Sequence, residues 1–368
     1  MQPDQTPLSV SKKPLERLKA WIHKHPRRTY AVAAVGLVLA GGLTTMALLW
    51  QKPEAKPVVT TKSKQAPAKP KPTYYSPLTG EKVADQAATT KATTAIMLEN
   101  SPDARPQSGL KDAEVVYEAV AEGGITRFLA VYQQKQPETI GPVRSLRMYY
   151  VDWLTPFNAS VAHVGGSKAA LDLVRGGGYR DIDQFFNSAY YRRANDRAAP
   201  HNVYTSFSKL NELNASKGYT TSDPKAFERT DDEKEPAQDA TKLTLNISGA
   251  LYNSTYAYDP TTKTYARSQA GAPHLDREAG QISAKVVVAL RVNMQRVFED
   301  GYRESITTTG TGEAIVFQNG HANKVTWHKE SRDAQLRFTD STGAPFKLAR
   351  GTTWISAIPT TNGSVAWQ

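Results

Sequence analysis

The 368-residue sequence contains no cysteine. This absence excludes thiol nucleophiles, disulfides, zinc sites built from cysteine, iron–sulfur clusters and a lipid anchor on a cysteine side chain. Common signatures of serine hydrolases and zinc proteases are also missing, since no stretch matches G-x-S-x-G, H-E-x-x-H or S-x-x-K with a later K-T-G. No cofactor is predicted, and any chemistry must use oxygen and nitrogen groups.

Acidic residues are fewer than basic residues, 35 against 46, which gives a formal net charge of +11. Residues 1–29 and residues 51–72 each carry a net charge of +5, whereas residues 73–368 carry +1. A nucleic-acid-binding protein concentrates its basic residues on the folded surface. Because the excess charge here lies in two flanking segments, we predict no nucleic-acid partner.

One long apolar run separates the two basic segments. Residues 30–50 carry no charge and, as a helix, would span about 30 Å, the thickness of the hydrocarbon core of a bilayer. Tyr30 and Trp50 close its two ends, where amphipathic aromatics are favoured. We predict a single transmembrane helix that acts as an uncleaved signal anchor. A cleaved signal peptide is the alternative, but the run is longer than a usual signal core and no A-x-A site follows it.

The orientation follows from the basic residues before the helix, which favour a cytoplasmic location for residues 1–29. Six lysines in residues 51–72 weaken this bias. We expect a single-pass protein of the cell membrane whose large C-terminal part is extracytoplasmic. The linker 51–72, rich in Pro, Lys and Ala, is predicted to be an extended spacer. Its lysines offer a second interpretation, contact with anionic wall polymer or lipid headgroups.

Beyond the linker, helix and strand patterns alternate at first and strand patterns then dominate. We predict an α/β (mixed) domain over residues 73–221, an acidic interdomain loop over 222–240 and a mainly β C-terminal domain over 241–368. β-Branched and aromatic runs predict three neighbouring strands, at 93–98, 114–120 and 126–132.

The next segment has apolar residues at helical spacing, which predicts a helix over residues 143–154. A strand over 159–164, a turn at Gly165 and Gly166, and a helix capped by Ser167 are expected to follow it.

Several strings occur together in a specific order and spacing. They are ARPQSGL from Ala104, EGGITRF from Glu122, IGPVRS from Ile140, HVGGS from His163, APHNVYT from Ala199 and APHLD from Ala272. With these strings the chain resembles the YerB-like family of bacterial surface lipoproteins over essentially all of residues 74–368. The resemblance implies a two-domain surface protein, but it brings no established activity. Many relatives look lipid-anchored through a cysteine, which this chain lacks.

Three histidines lie within these strings, namely His163, His201 and His274. His163 precedes the turn at Gly165 and Gly166, and the helix start at Ser167 offers backbone N–H groups that suit an anion. The alternative is that the glycines only permit a tight turn, Ser167 only caps the helix, and His163 is a core residue.

Arginines form the second group of candidate ligand-binding residues, namely Arg105, Arg127, Arg144 and Arg147. A guanidinium fork binds phosphate or carboxylate through two hydrogen bonds. Arg144 and Arg147 would share one face of the predicted helix. Internal ion pairing is the alternative, with four candidate carboxylates: Glu118, Glu122, Asp181 and Asp183.

A loop near the end of the resemblance carries His274 and Asp276, which are two residues apart and can reach a shared ligand. An Asx-type turn is the plainer explanation. If this loop meets the N-terminal strings in space, the site lies between the domains. Because histidine and aspartate suit zinc or manganese, a metal site formed by His163, His201, His274 and Asp276 is a further alternative.

Three functions remain open from the sequence. The first is binding of an anionic envelope ligand, such as a phosphate- or carboxylate-bearing wall polymer or precursor. The second is an envelope hydrolase or transferase that uses His163 or His201 with an acid such as Glu122 or Asp183. The third is a structural protein that docks another surface protein through an apolar patch.

Overall fold

The computed structural model describes residues 72–231, 238–297 and 303–368, together with Lys19, His23 and Lys24, which are helical and exposed. The predicted transmembrane helix at residues 30–50 lies outside these residues, as does nearly all of the linker. Within the described part of the chain, no helix is long and apolar enough to span a bilayer.

Strands account for most of the regular structure. In chain order the main strands are β1 Thr94–Glu99, β2 Val115–Glu122, β3 Ile125–Tyr132, β4 Ser160–Ala162, β5 Arg180–Asp181, β6 Lys242–Asn246, β7 Ser254–Asp259, β8 Thr264–Gln269, β9 Val286–Val292, β10 Met294–Val297, β11 Arg303–Ile306, β12 Gly310–Gln318, β13 His321–Lys329, β14 Arg337–Thr339, β15 Pro345–Phe346, β16 Thr353–Pro359 and β17 Ser364–Trp367. The α-helices are α1 Gln86–Thr89, α2 Met148–Leu154, α3 Lys168–Arg175 and α4 Phe207–Ser216.

Further two-residue strands are Tyr74–Tyr75, Lys82–Val83, Arg192–Arg193, Val203–Tyr204, Arg229–Thr230, Ala272–Pro273, Leu275–Asp276, Gly280–Gln281, Ser283–Ala284 and Leu348–Ala349. The expectation of a mixed α/β part followed by a mainly β part is confirmed in its order, because every α-helix described from residue 72 onward precedes residue 217. Strands are more numerous and helices fewer than a mixed α/β first part suggests.

One large sheet takes strands from both parts of the chain. Its order is β15-β14-β13-β12-β9-β16-β2-β3-β1-β4-β5, and the hairpin of β10 and β11 joins it beside β2. The late strand β16 lies between β9 and β2 and is parallel to both. The C-terminal part of the chain therefore supplies the direct neighbour of an N-terminal strand.

A smaller sheet covers one face of the large sheet. It has the order Ala272–Pro273, β8, β7, β6, β17, and Ser283–Ala284 pairs beside β8. Successive residues of β2 belong to different cores: Tyr117 packs with the aromatic residues of α2, and Val116 packs with residues of α4 and the smaller sheet. The central strands of the large sheet, β9, β16, β2, β3 and β1, are thus buried on both faces, which explains their nearly continuous apolar runs.

The helix predicted over residues 143–154 begins only at Met148. Before it the chain is extended, because the Arg144 N–H donates to the Met97 carbonyl and the Val143 N–H donates to the Val203 carbonyl. Arg147 is the N-cap residue. The expectation that Arg144 and Arg147 share a helix face is therefore wrong, since sheet-like hydrogen bonds to distant residues outweigh the local helical pattern.

A buried ion pair connects the two sheets. Arg267 of β8 donates two hydrogen bonds from Nη2 to the carboxylate of Glu118 on β2, at 3.0 and 2.9 Å. Both side chains are essentially inaccessible to solvent. The second Glu118 oxygen also accepts from the indole N–H of Trp354, at 3.0 Å, and the Arg267 guanidinium carbon lies 4.6 Å from the Trp354 ring centroid.

The remaining donors of Arg267 are also satisfied. Nε donates to the Tyr256 hydroxyl at 3.1 Å, and Nη1 donates to Gln269 Oε1 at 3.0 Å and to His274 Nδ1 at 2.5 Å. A buried charge pair is tolerated only when its hydrogen-bonding capacity is filled in this way. Burial and the neighbouring Arg267 hold the pKa of His274 well below its ordinary value, so this ring accepts as a neutral group.

Glu118→Gln should destabilise the fold strongly, because it leaves the Arg267 charge buried without its counter-charge. We expect the free energy of unfolding to fall by about 3–5 kcal/mol, measured by urea titration with tryptophan fluorescence. The matched control is Glu330→Gln, which breaks the exposed pair with Arg337 and should cost less than about 1 kcal/mol. Equal losses in the two variants would contradict the assigned role of the buried pair.

Candidate functional site

Most of the predicted site residues lie along the side of the large sheet at which its parallel strands have their carboxyl ends, which we call the carboxyl edge. Strands β1, β2, β4 and β5 run in the same direction, and β3 runs in the opposite direction between β2 and β1. The chain leaves β1 for β2 on one side and later returns to β4 on the other side. The carboxyl ends of parallel strands at such a reversal are a common place for ligand sites.

One carboxylate at this edge holds two of the predicted arginines. Glu122 ends β2, and its Oε2 lies 2.6 Å from Nη2 of Arg127. Its Oε1 pairs with Arg147. Arg127 also donates from Nη1 to the Ser145 carbonyl, at 3.1 Å. Both arginines are buried, so for them the structure shows the internal ion pairing that the sequence left open.

A second carboxylate, Glu99 at the end of β1, holds a more open group of side chains. Its Oε1 lies 3.4 Å from Arg144 Nε and accepts from the Ser101 hydroxyl at 3.1 Å. Its Oε2 lies 3.0 Å from Nδ1 of His201. The side chain of Glu99 is 4% exposed, whereas those of Arg144 and His201 are 24% and 21% exposed. We call Glu99, Ser101, Arg144 and His201 the edge site.

The electrostatics of the edge site centre on Arg144. Burial lowers the pKa of its guanidinium, Glu99 offsets part of that shift, and the neighbouring Arg127 adds to it. The guanidinium still carries its charge at neutral pH, because arginine does not deprotonate in proteins. Within the part of the chain that the structure describes, Glu99 is the ion-pair partner of Arg144, and it is contacted through Nε alone. The side chain is partly exposed, so its guanidinium is accessible in part to an external ligand.

Serine, histidine and glutamate lie together in the edge site, but not in the order of a catalytic relay. The Ser101 hydroxyl lies 3.2 Å from His201 Nδ1, the same nitrogen that Glu99 approaches. In a relay, the nucleophile and the acid contact opposite nitrogens of the ring. The other nitrogen of His201 lies 4.0 Å from Asp103, whose side chain is exposed. This geometry suits binding better than nucleophilic catalysis.

His163 lies next to the edge site and is completely buried. Its Nδ1 donates to the Gly165 carbonyl at 2.7 Å, and its Nε2 lies 2.9 Å from Asp181 Oδ1. Each ring nitrogen therefore lies within hydrogen-bond distance of an oxygen of the protein itself, so neither is open to a ligand.

The turn at Gly165 and Gly166 binds a carboxylate of the protein itself. The Gly165 N–H donates to Asp183 Oδ1 at 3.1 Å, and Asp183 Oδ2 lies 2.5 Å from Arg175 Nη2. Ser167 is the N-cap residue of α3 but makes no side-chain capping bond, and its N–H donates to the Leu146 carbonyl. Asp183 thus takes the place in which the sequence suggested an external anion.

His274 and Asp276 contact residues in and next to the N-terminal motif strings. The loop that carries them therefore packs against the first part of the chain. His274 Nε2 donates to Gln107 Oε1 at 2.9 Å, and Asp276 Oδ2 accepts from the Lys111 N–H at 3.1 Å. Asp276 Oδ1 accepts from two N–H groups of its own turn, Glu278 and Ala279. Both side chains are buried, and they join the two parts of the chain.

Arg105, the last predicted arginine, also connects the two parts of the chain. It donates from Nη2 to the carbonyls of Asn100 and Leu251, at 2.8 Å each, and its guanidinium lies over the ring of Tyr252. In the described part of the chain, no group of three or more His, Asp or Glu side chains is arranged to hold a metal ion.

Four residues that matter here were not among the predicted site residues, namely Glu99, Ser101, Arg175 and Arg267. Glu99 directly follows the predicted strand 93–98, and an acid at the end of a buried strand was the available signal. Arg267 sits on the buried side of an alternating strand, between Tyr265 and Gln269. A charged residue at an inward position of such a pattern indicates a buried pair.

The link between Asp181 and His163 gives a pH-dependent prediction. Burial raises the pKa of the Asp181 carboxyl, but hydrogen bonding and charge from His163 outweigh it, so the pKa is lowered from 3.8. A lowered carboxyl pKa stabilises the fold above the unfolded value, near 3.9, and this contribution is lost as pH falls through the folded value.

We expect Asp181→Asn to be less stable than the wild type at neutral pH. The difference in the free energy of unfolding between the two proteins should shrink below about pH 4. Urea titrations from acid to neutral pH measure this difference. Asp223→Asn, at an exposed position, is the control and should show no such gap. A gap for Asp181→Asn that does not vary with pH would contradict the proposed link.

Comparisons with known proteins agree with this architecture. The family described as "Protein of unknown function (DUF3048) N-terminal domain" matches residues 78–220, and the corresponding C-terminal domain matches residues 243–355. The "Putative lipoprotein YerB" of Bacillus subtilis (strain 168) is 33% identical over 294 residues, which cover 77% of this chain and 86% of that protein. The crystal structure of the YerB protein from Bacillus subtilis aligns with a TM-score of 0.71 and 28% identity, over 80% of this chain and 99% of that one.

Proposed function

This chain belongs to the YerB-like (DUF3048) family, as its motif strings predicted, and from that premise we propose that it is a membrane-anchored, extracytoplasmic protein of the cell envelope. Its proposed activity is to bind an anionic envelope ligand, a phosphate- or carboxylate-bearing wall polymer or precursor, at the edge site. The observation that carries the binding proposal is the partly exposed side chain of Arg144 on its buried partner Glu99.

Two observations support the location. The Bacillus subtilis relative is named "Putative lipoprotein YerB", and that name supports a location at the membrane surface. This chain has no cysteine for a lipid, but it has the uncharged run at residues 30–50, preceded by a basic segment. We propose that a single transmembrane helix replaces the lipid, with residues 1–29 in the cytoplasm.

The edge site supports anion binding through its preorganisation. Glu99 is held by Ser101, Arg144 and His201, so the two basic side chains are fixed before a ligand arrives. An arginine fork matches phosphate and carboxylate oxygens, and each charge-assisted hydrogen bond contributes about 1.5–3 kcal/mol. A fixed side chain loses little conformational entropy on binding, which favours affinity.

Wall retention tests the binding proposal. The full chain, inserted in nanodiscs, is sedimented with isolated cell walls at physiological salt. We expect Arg144→Gln to weaken the apparent Kd at least about tenfold, which corresponds to about 1.4 kcal/mol. The control Arg337→Gln removes the same charge at an exposed position far along the chain and should retain wild-type binding.

Two treatments of the walls separate the possible ligands. Removal of the phosphate-bearing polymer abolishes binding if phosphate is recognised, and amidation of wall carboxylates abolishes it if carboxylate is recognised. A folded Arg144→Gln protein that binds untreated walls as well as the wild type would rule out the edge site.

Topology is tested on intact cells that express the chain with an N-terminal tag. We expect external protease to digest residues 73–368 while the tag stays protected until the membrane is permeabilised, because the basic segment holds the N-terminus inside. A cytoplasmic protein that resists the protease in the same cells is the control. Digestion of the tag together with the rest of the chain would contradict the proposed orientation.

A further inference from the structure

Two phenylalanines lie side by side on the surface, close to the edge site. Phe185 and Phe186 are 66% and 71% exposed. Exposed aromatic residues on a folded protein commonly mark an interaction site. Neither ring belongs to the two hydrophobic cores on the faces of the large sheet.

The loop that carries the two rings is tightly held. Asp183 is buried, and its Oδ1 accepts from the Phe185 N–H at 3.1 Å as well as from Gly165. Arg175 pairs with the other oxygen, and the Asn187 side chain donates to the Asp183 carbonyl at 2.7 Å. These hydrogen bonds and the ion pair therefore fix the conformation of the loop that carries the aromatic pair.

Each ring is also supported from one side. Phe185 lies against Gly165, where an added Cβ would be 2.9 Å from the ring and where φ is +60°. The guanidinium carbon of Arg175 lies 4.9 Å from the centroid of the Phe186 ring. Glycine at position 165 thus leaves room for the ring, and the supported rings present their remaining surface to solvent.

The aromatic pair is connected to the edge site through the backbone. The Val164 N–H donates to the Arg144 carbonyl at 3.1 Å, and the Leu146 N–H donates to the Gly165 carbonyl at 3.0 Å. Arg144 therefore lies on a segment that is paired with the residues supporting Phe185.

We propose that Phe185 and Phe186 form a stacking platform for the sugar rings of a glycan whose anionic group is held at the edge site. This deepens the proposed function and rests on it. The C–H face of a sugar ring is apolar and slightly positive, so it packs on the negative face of an aromatic ring. Two rings offer far less area than the roughly 800 Å² per partner of a stable protein interface. That size matches one or two sugar units.

The test uses the full chain in nanodiscs of zwitterionic lipid and an uncharged oligosaccharide of N-acetylated hexosamines as the probe. Saturation-transfer NMR should show contact between the protein and the sugar C–H protons. We expect Phe185→Ala with Phe186→Ala to weaken this binding at least tenfold, and Phe185→Trp with Phe186→Trp to retain it. The control Arg337→Gln, at an exposed position outside both sites, should leave binding of the uncharged probe unchanged.

The same variants separate this proposal from the proposed function. If the Ala variant loses the uncharged probe but Arg144→Gln binds walls normally, the platform stands and the anion site fails. Absence of probe binding by the wild type, or unchanged binding by the folded Ala variant, overturns the platform. Capture of the nanodiscs by anionic vesicles that depends on both phenylalanines, without binding of the oligosaccharide, overturns it in favour of a lipid surface.

Discussion

The ion pair between Glu118 and Arg267 holds the smaller sheet against the large sheet. Because both charges are buried, the pair is stable only while the surrounding hydrogen bonds are complete. Those bonds extend through His274 to Gln107, which in turn donates to the Glu99 carbonyl at 2.9 Å. The position of the edge site therefore depends on contacts made by the C-terminal part of the chain. The strand β16 has the same effect, since it lies directly beside β2.

Charges at the carboxyl edge of the sheet fall into two groups with different consequences. Glu122 with its two arginines, and Asp183 with Arg175, fix the crossing segment and the glycine turn. Exposure alone does not separate these pairs from the edge site, since Arg175 is 36% exposed and Arg144 is 24% exposed. The difference lies in the atoms that pair: Arg175 meets Asp183 through its outer nitrogen Nη2, whereas Arg144 meets Glu99 through Nε. The near-neutral charge of residues 73–368 is consistent with most charges being used internally.

Local patterns predicted much of the secondary structure. The strands expected at 93–98, 114–120 and 126–132 are β1, β2 and β3, because a buried strand needs a run of apolar, β-branched residues wherever it lies. The helix expected from residue 143 begins at Met148, because the backbone of Arg144 bonds to Met97 and Val164. The candidate arginines were identifiable, but the choice between pairing and binding was not. Arg127 and Arg147 pair with Glu122, whereas Arg144 is partly exposed on a carboxylate that the sequence did not single out.

The sequence by itself determined the properties that depend on composition and on neighbouring residues. These are the lack of thiol chemistry, the apolar run at 30–50, the location of the excess charge, the strand-rich second part and the motif strings of the family. Only the tertiary structure decided which carboxylate each basic residue meets. Glu118 and Arg267 are 149 positions apart in the sequence, and Glu99 and His201 are 102 positions apart, yet each pair is in contact. Ion pairs and hydrogen bonds between such residues leave no local pattern, because they depend on how strands and loops are brought together in space.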